Sequence, residues 1–350
     1  MAGALEGITV IELAGIGPGP FTAMMLADHG ARVIRIDRPG TAESGRLKFD
    51  ATLRNREHIE LDLKSPEGIA AVLDLAREAD GLIEGFRPGV LERLGLGPDV
   101  LLAANPRIVV GRMTGWGQEG PMANAAGHDI NYISLSGSLH TFGREGGKPT
   151  PPLNAVGDFG GGGMVLAFGM LAGILSAKSS GKGQVVDCAM VDGSALLATM
   201  VWSLHSLGRW VDERGKNILD TGAPYYDTYE TKDGKHVSVG PIEGPFYAEM
   251  LERLGIAGEE QFAQQNERAN WPAMKERLTQ VFLGKTRDEW CDVFAGSDAC
   301  FAPVLSLSEA PKHPHNVARG TFVEAAGITQ PAPAPRFSGT PAPAIRPPWS

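Results

Sequence analysis

Two ionisable side chains in the middle of the chain lie among glycines and could carry acid–base chemistry. His128 belongs to the segment AGHDINY at 126–132, and Asp158 belongs to VGDF at 156–159, directly before four glycines at 160–163. The apolar run that follows from Met164 predicts a helix, whose N-terminus would offer free N–H groups and a positive dipole end. A histidine and a carboxylate near such a terminus could transfer a proton and stabilise an oxyanion.

A purely structural interpretation of the same residues is equally compatible with the local sequence. Asp158 could serve only as the N-cap of the following helix, and His128 could be a hydrogen-bonded polar residue beneath a loop. Short motifs of this kind are hypotheses, so the local sequence leaves both interpretations open.

Composition excludes several classes of protein. The 350 residues suffice for one large domain or two modest ones, and 43% hydrophobic and 21% charged residues are ordinary values. A net charge of -9 disfavours nonspecific binding to nucleic acid or to an anionic membrane. The three cysteines are scattered, which predicts neither a disulfide framework nor a zinc site and fits a reducing, cytoplasmic compartment.

Targeting and membrane segments are not expected. The N-terminus lacks the basic region of a signal peptide. The longest apolar stretch, 164–177, is interrupted by glycines and falls short of the roughly 18 residues of a membrane span.

The first part of the chain alternates strands and helices. Strands are predicted at 8–13, 33–36, 59–63, 81–84 and 107–112, with helices at 21–29 and 66–79. This pattern predicts a Rossmann-like α/β domain. Basic residues recur near the ends of these strands, where an open sheet binds its ligands: Arg38, Lys64, Arg87 and Arg93. Together they suggest a ligand that carries phosphate. Taken singly, each could instead only solvate the end of a helix.

The loop after the first strand imitates a dinucleotide-binding fingerprint. Gly15, Gly17 and Gly19 depart from the G-x-G-x-x-G spacing, although an acid, Asp37, follows the second strand. The prolines at 18 and 20 remove two N–H donors that a pyrophosphate would need, so nicotinamide binding is disfavoured.

The second part of the chain suggests a smaller α/β unit. Residues 185–190 are interpreted as a short strand or the start of a helix, and a long helix is predicted at 192–210. A hairpin with strands at 224–230 and 236–240 follows, and then helices to about 297. From 331 the chain is rich in proline and should be extended.

Across nearly its whole length the sequence resembles the family III CoA-transferases, and specifically their α-methylacyl-CoA racemase branch. The matching segments include ITVIELAGIGPGPF, EGFRPGVLERLGLG, AGHDINYIS, VGDFGGGG, SGKGQVVDCAMVDG and GAPYYDTYE. The resemblance implies a large Rossmann-like domain at 1–187, joined by a returning C-terminal segment at 325–350, a linker helix at 188–218 and a small α/β domain at 219–324. It also implies an interlocked homodimer, whose active site lies between the large domain of one chain and the small domain of its partner.

The resemblance assigns residues to roles. His128 and Asp158 would be the two catalytic bases, and Glu243 would pair with His128. The acyl-CoA substrate would be bound by Ile16, Arg38, Leu61, Asp62, Leu63, Lys64, Gly85, Phe86, Arg87, Arg93, Gly127, Asp129, Ile130, Asn131 and Tyr132. Neither a metal nor a cofactor is implied, since CoA is part of the substrate, and no nucleic acid or membrane partner is expected.

The hypothesis is a racemase that interconverts (2R)- and (2S)-2-methylacyl-CoA. One base removes the α-proton, a second returns a proton on the opposite face, and the intermediate is an enolate. We expect its oxyanion donors to be N–H groups near Asp158, and the glycines at 160–163 to let the thioester approach closely. The alternatives are a CoA-transferase with Asp158 as nucleophile, a non-catalytic CoA-ester binding protein and an NAD dehydrogenase.

Overall fold

The computed structural model describes residues 3–41 and 50–348, and a six-stranded parallel sheet is their central element. Its strand order is β3-β2-β1-β4-β5-β6. The sheet therefore extends from β1 through β2 and β3 on one side and through β4, β5 and β6 on the other. This is the order of Rossmann folds, in which ligands bind beyond the carboxyl ends of the strands at the point where the order reverses. The strands are β1 (Thr9–Leu13), β2 (Arg32–Asp37), β3 (Glu57–Glu60), β4 (Gly81–Glu84), β5 (Val109–Thr114) and β6 (Gln184–Ala189).

The sheet explains why its inner strands β1, β4 and β5 are almost wholly buried. Helices cover parallel strands on both faces, so both sets of side chains are buried. Val10 and Ile11, neighbours on β1, belong to separate core clusters and are both fully buried. In the described part of the chain up to residue 198, seven α-helices accompany the sheet: α1 (Pro18–Asp28), α2 (Pro66–Glu78), α3 (Val90–Arg93), α4 (Pro98–Ala104), α5 (Asp129–Leu135), α6 (Val165–Ser180) and α7 (Met190–Leu197).

The boundaries of the early elements follow from local chemistry. Helix α2 begins at Pro66, and the Ser65 hydroxyl accepts a hydrogen bond from the Gly68 N–H at 3.0 Å. Serine at the N-cap and proline at the first position are the expected start of a helix. The strand predicted at 81–84 coincides with β4, and the one predicted at 8–13 differs from β1 by one residue, so the α/β class and its parallel sheet are confirmed.

The glycine-rich segment differs from expectation. Ala155–Met164 forms a π-helix that continues into α6, so the glycines do not interrupt the helix. The combined helix, Ala155–Ser180, has 26 residues, and its most apolar window has a mean hydropathy of 1.7 and is 44% buried. It is long and apolar enough to cross a bilayer, but the core helices of soluble proteins can have the same length and composition. Here α6 packs on β5 and β6.

The C-terminal segment lies on the same compact unit as the sheet. Strands β10 (Phe322–Ala325) and β11 (Ile328–Pro331) form an antiparallel pair. Arg54 donates to Gln330 Oε1 at 2.8 Å and binds the buried Asp28 carboxylate. Further along, the Arg346 N–H donates to Asn55 Oδ1 at 2.6 Å, and Asn55 N–H donates back to the Arg346 carbonyl at 3.0 Å.

A second compact unit is built on a three-stranded antiparallel sheet in the order β7-β8-β9. Its core is aromatic, with Tyr229 stacked on Phe282 at a centroid distance of 5.0 Å. Its strands are β7 (Asp227–Glu230), β8 (His236–Val239) and β9 (Phe301–Val304), and its helices are α8 (Thr199–Ser206), α9 (Gly244–Leu254), α10 (Trp271–Phe282) and α11 (Arg287–Phe294). Helix α8 begins at the border of the unit. The next helix, α12 (Pro314–Arg319), belongs to the first unit.

The borders of the two units differ from the predicted domain limits. The first unit comprises Met1–Ser138, Pro152–Thr199 and Pro314–Ser350, and the second comprises Leu139–Pro151 and Met200–His313. The linker helix expected at 188–218 is not a single helix: its first residues complete β6, and α7 and α8 are separate helices. The apolar periodicity that predicted a helix at 192–210 could not show that the helix is interrupted at Ala198.

Candidate active site

The predicted CoA-binding segments lie at one edge of the sheet. Arg38 follows β2, residues 61–64 follow β3, and residues 85–87 follow β4; because these strands are parallel, their carboxyl ends share that edge. The basic side chains are solvent-exposed and could meet phosphate groups. Exposed residues are Arg38, Asp62, Lys64, Gly85, Arg87 and Arg93, and half-buried ones are Leu61, Leu63 and Phe86.

The loop after β3 is shaped by its own acid. The Asp62 carboxylate accepts the Lys64 N–H at 2.9 Å, and the Asp62 carbonyl accepts the Ser65 hydroxyl at 2.9 Å. These bonds fix the turn that leads into α2 and leave the Lys64 side chain exposed. Asp62 therefore shapes the loop, whereas Lys64 is free to meet an anion.

The loop after β1 reaches the predicted catalytic aspartate. Ile16 is 84% exposed. Gly17 has φ +69°, and a Cβ at this position would lie 3.2 Å from Asp158 Oδ2. The left-handed backbone and the close carboxylate together account for glycine at 17. Phe21 on α1 packs against Phe159 at a centroid distance of 4.8 Å, which anchors α1 to the π-helix.

His128 lies at the N-terminal end of α5 with its side chain exposed to solvent. Its backbone N–H donates to Asn131 Oδ1 at 3.1 Å, so Asn131 holds the start of this helix. Tyr132 is buried, donates its hydroxyl to the Gly127 carbonyl and packs edge-on against Trp116. These two predicted substrate residues thus fix the segment that presents His128, while Ile130 is 43% exposed.

Asp129 is the link between the two candidate bases. Its side chain is 5% exposed, and its Oδ2 accepts the N–H groups of Gly157 at 2.6 Å and Asp158 at 2.7 Å. Its carboxylate is therefore engaged inside the protein rather than directed at a substrate, although we expected it to bind substrate. Because Asp129 directly follows His128, these bonds couple the start of α5 to the backbone of the second base.

Asp158 is half-buried, and its environment makes it a stronger base than an ordinary aspartate. Burial raises the pKa of Asp158; a hydrogen bond from Asn154 Nδ2 at 3.1 Å lowers it, the charge of Asp129 raises it, and the charge of His128 lowers it. The outcome is a pKa above the usual value. The position of Asp158 inside the π-helix also shows that it is not the N-cap that the structural interpretation required.

The four glycines after Asp158 have a packing role. A Cβ at Gly161 would lie 2.5 Å from the Ser194 nitrogen of α7, and one at Gly163 would lie 2.6 Å from the Phe21 ring of α1. Positions 160 and 162 are similarly crowded by protein atoms. The glycines therefore allow helices to approach closely, which replaces our expectation that they admit the thioester.

The expected oxyanion donors also need correction. The N–H groups of Gly157 and Asp158, the nearest to the carboxylate, are already bound by Asp129. A helix start beyond Asp158 would have left N–H groups free there, but the π-helix begins at Ala155, three residues earlier. These two N–H groups are therefore not free to bind an oxyanion.

Glu243 belongs to the second unit. It is exposed and occupies the N-cap position of α9, where its carbonyl accepts the Tyr247 N–H at 3.0 Å. The structure thus brings His128, Asp158 and the CoA-binding segments onto one unit and places Glu243 on the other.

Sequence reasoning missed three contributors: Gly17 and Asn154 beside Asp158, and the positioning role of Asp129. The adjacency of Asp129 to His128 was visible, but only the folded backbone shows which amides it binds. Among residues 3–41 and 50–348, no group of three histidine, cysteine, aspartate or glutamate side chains is placed to hold a metal ion.

Comparisons with known proteins identify the family to which the chain belongs. Residues 5–349 match the family described as CoA-transferase family III. The chain is 45% identical to the alpha-methylacyl-CoA racemases of Mus musculus, over 97% of this chain and 87% of that one, and of Homo sapiens, over 97% and 88%. A crystal structure of a CaiB/BaiF family protein from Brucella suis, 24% identical, has the same fold with a TM-score of 0.82, covering 98% of this chain and 97% of that chain.

Proposed function

Because the chain belongs to the CoA-transferase family III, we propose that it is an α-methylacyl-CoA racemase, an isomerase that interconverts (2R)- and (2S)-2-methylacyl-CoA. The observation that carries this proposal is the Asp129 carboxylate, which directly follows His128 and accepts the Asp158 N–H at 2.7 Å, so that both candidate bases lie in one part of the same unit. A racemase needs two proton-transfer groups at one carbon, and this pair supplies them.

The mechanism is proton transfer through an enolate. In one direction Asp158 removes the α-proton, the electron pair moves to the thioester oxygen, and protonated His128 returns a proton to the opposite face; in the other direction the roles reverse. The raised pKa of Asp158 suits it to both tasks, because a base whose pKa lies nearer the operating pH accepts and donates protons more readily. After this step Asp158 carries a proton and His128 has lost one, and proton exchange with water restores the starting state, so the scheme requires no cofactor.

The oxyanion donor that we propose is the start of α1. Gly17 lies beside the Asp158 carboxylate, and the first N–H groups of a helix have no acceptor within it. Pro18 and Pro20 carry no N–H, which leaves Gly19 as a donor in the first turn. One such donor contributes about 3–4 kcal/mol to the transition state.

Binding of the CoA portion rests on the exposed basic residues at the edge of the sheet. Arg38, Lys64, Arg87 and Arg93 would meet its phosphates, and the half-buried Phe86 would contact its apolar parts. Ile16, which is largely exposed and precedes Gly17 beside the Asp158 carboxylate, would contact the acyl end.

The test follows one enantiomer of a 2-methylacyl-CoA in D₂O with no acceptor acid present. The wild type should produce the other epimer and incorporate one deuterium at the α-carbon. His128→Ala and Asp158→Ala should each reduce epimerisation by at least about 10²-fold, the lower range for a general acid–base group. His315→Ala, at an exposed histidine on α12, is the matched control. Near-wild-type turnover in either base variant would contradict the scheme.

The alternative is a CoA-transferase in which the Asp158 carboxylate attacks the thioester. It is favoured by the family match and by the partial exposure of Asp158. A covalent acyl adduct on Asp158, trapped with hydroxylamine and located by mass spectrometry, together with turnover that needs an acid acceptor, would select it. Epimerisation without an acceptor would select the racemase.

A homodimer remains part of the proposal. Helix α6 exposes large apolar side chains, with Phe168 74% and Leu175 72% exposed. Such a face is expected to be covered, and the family resemblance points to a second copy, with the partner supplying the Glu243 that orients His128. A mass of twice 37.1 kDa by light scattering would support this. Recovery of the protein only with detergent micelles would instead assign α6 to a membrane, contrary to the cytoplasmic location and role in lipid metabolism that we propose.

A further inference from the structure

A cluster of three charged residues, two of them buried, lies at the edge of the sheet that we propose to bind CoA. Glu84 ends β4 and is fully buried, and Arg112 on the neighbouring β5 is 6% exposed. Arg112 Nε donates to Glu84 Oε1 at 2.8 Å, while its Nη1 and Nη2 donate to the two oxygens of Glu92 on α3 at 2.7 and 3.3 Å. One guanidinium therefore joins two carboxylates from different elements.

Each carboxylate leads directly to a segment that we assign to CoA. The second oxygen of Glu84 accepts the Phe86 N–H at 2.6 Å, which fixes the start of the loop at 85–87. Glu92 directly precedes Arg93, whose guanidinium lies close to the backbone at Gly89, where a Cβ would be 3.2 Å from Arg93 Nη1. Arg112 thus connects the loop after β4 to the helix that carries Arg93.

Stability alone is a poor explanation for this cluster. Burial raises the pKa of Glu84, opposed by its hydrogen bonds to Arg112 and Phe86. Buried ion pairs are often no more stabilising than well-packed apolar side chains of similar size, because two charges must be removed from water. What a planar guanidinium offers that an apolar residue does not is a fixed geometry between the groups it binds.

We propose that Arg112 is a positioning residue for the CoA portion of the substrate: it holds the loop at 85–87 and Arg93 of α3 at a fixed separation. None of Glu84, Glu92 and Arg112 needs to touch the ligand. This inference rests on the proposed function, since it assumes that both segments bind CoA. It gives the cluster of Glu84, Arg112 and Glu92 a role in the affinity for CoA rather than in proton transfer.

The experiment compares Arg112→Lys, which keeps the charge but loses the fork, with Glu92→Gln, which cuts only the link to α3. Glu92 is 43% exposed in its side chain, so this second variant should fold even if the first does not. Both should raise the Kd for CoA and the KM for 2-methylacyl-CoA about tenfold, equivalent to ~1.4 kcal/mol, with kcat within about twofold of wild type. Arg77→Lys, at the exposed ion pair with Asp74, is the matched control.

The outcomes separate the inference from the function beneath it. Variants that lose thermal stability while Kd and KM stay at wild-type values would show a merely structural triad and overturn the inference. A fall in kcat with unchanged KM would overturn it too, because it would place Arg112 in the chemical step. If wild-type protein neither binds CoA nor racemises the thioester, the proposed function has failed instead.

Discussion

Replacing Asp129 with asparagine tests how the structure couples the two bases. Asp129 Oδ2 accepts the N–H groups of Gly157 and Asp158, and its Oδ1 is buried without a hydrogen-bond partner among the described residues. Asparagine keeps the shape and one carbonyl oxygen but removes the negative charge. The change therefore alters both the anchoring of the Asp158 backbone and the electrostatic environment of its carboxylate.

The effect on stability follows from the two hydrogen bonds. A hydrogen bond to a charged group contributes about 1.5–3 kcal/mol and a neutral one about 0.5–1.5 kcal/mol, so losing the charge of Asp129 removes about 2 kcal/mol over both amides. Removing a buried charge with an unpaired oxygen returns part of this loss. We expect a net loss of about 1–2 kcal/mol and a fall in Tm of roughly 1–3 °C.

The effect on activity has a defined sign. The charge of Asp129 raises the pKa of Asp158, so Asp129→Asn should lower that pKa. Asp158 must be ionised to accept the α-proton, and activity in that direction rises as pH rises through its pKa. The acid limb of the kcat/KM profile should therefore move to lower pH. Looser placement of the carboxylate should also reduce the maximal rate, by up to about 10²-fold.

The assay measures deuterium exchange of each enantiomer separately across the acid limb, with thermal unfolding of the same samples. Asp99→Asn, at an exposed acid in the first turn of α4, is the control and should change neither. An acid limb that stays in place or moves to higher pH would refute the electrostatic reasoning. An unchanged Tm and rate would refute the anchoring role.

Three further outcomes are expected. Gly193→Ala should destabilise the protein by about 3 kcal/mol or more in denaturant unfolding, because its Cβ would lie 1.8 Å from a carbonyl oxygen of the π-helix, whereas Gly258→Ala, with open space around it, should be nearly neutral. Asp158→Asn should unfold at a higher temperature than wild type at pH 7. Because the pKa of Asp158 is raised in the folded protein, its ionised form destabilises the fold as pH rises above the usual aspartate pKa. The difference in Tm between the two proteins should therefore vanish in acid. Burial raises the pKa of Cys188 to about 12, so a thiol reagent at pH 8 should modify the exposed Cys300 and leave Cys188 intact until the protein unfolds.

Local patterns were enough to predict the parallel sheet. Runs of Val and Ile bounded by glycine and proline give β1, β2 and β4 within a residue or so, because buried parallel strands need apolar side chains on both faces. The basic residues after those strands could be placed at a common edge for the same reason. The hairpin of β7 and β8 followed from its turn, where Gly234 adopts φ +70°.

The surroundings of Asp158 could not be predicted in the same way. Glycines ordinarily weaken helices, so the run at 160–163 suggested a boundary. In the structure they lie inside a helix, because α1 and α7 approach the backbone there too closely for any side chain, and that packing compensates for their low helix propensity. A pattern of residue types along the chain contains no information about such an approach.

By itself, the sequence determined the α/β class, the parallel strands and the identity of His128 and Asp158 as the candidate pair, because burial and residue chemistry are properties of short segments. Only the tertiary structure decided that Asp129 binds the Asp158 backbone, that Gly17 borders its carboxylate and that Arg112 joins β4 to α3. These contacts join residues 20 to 141 positions apart, and their geometry is set when the packed core fixes the distances between elements.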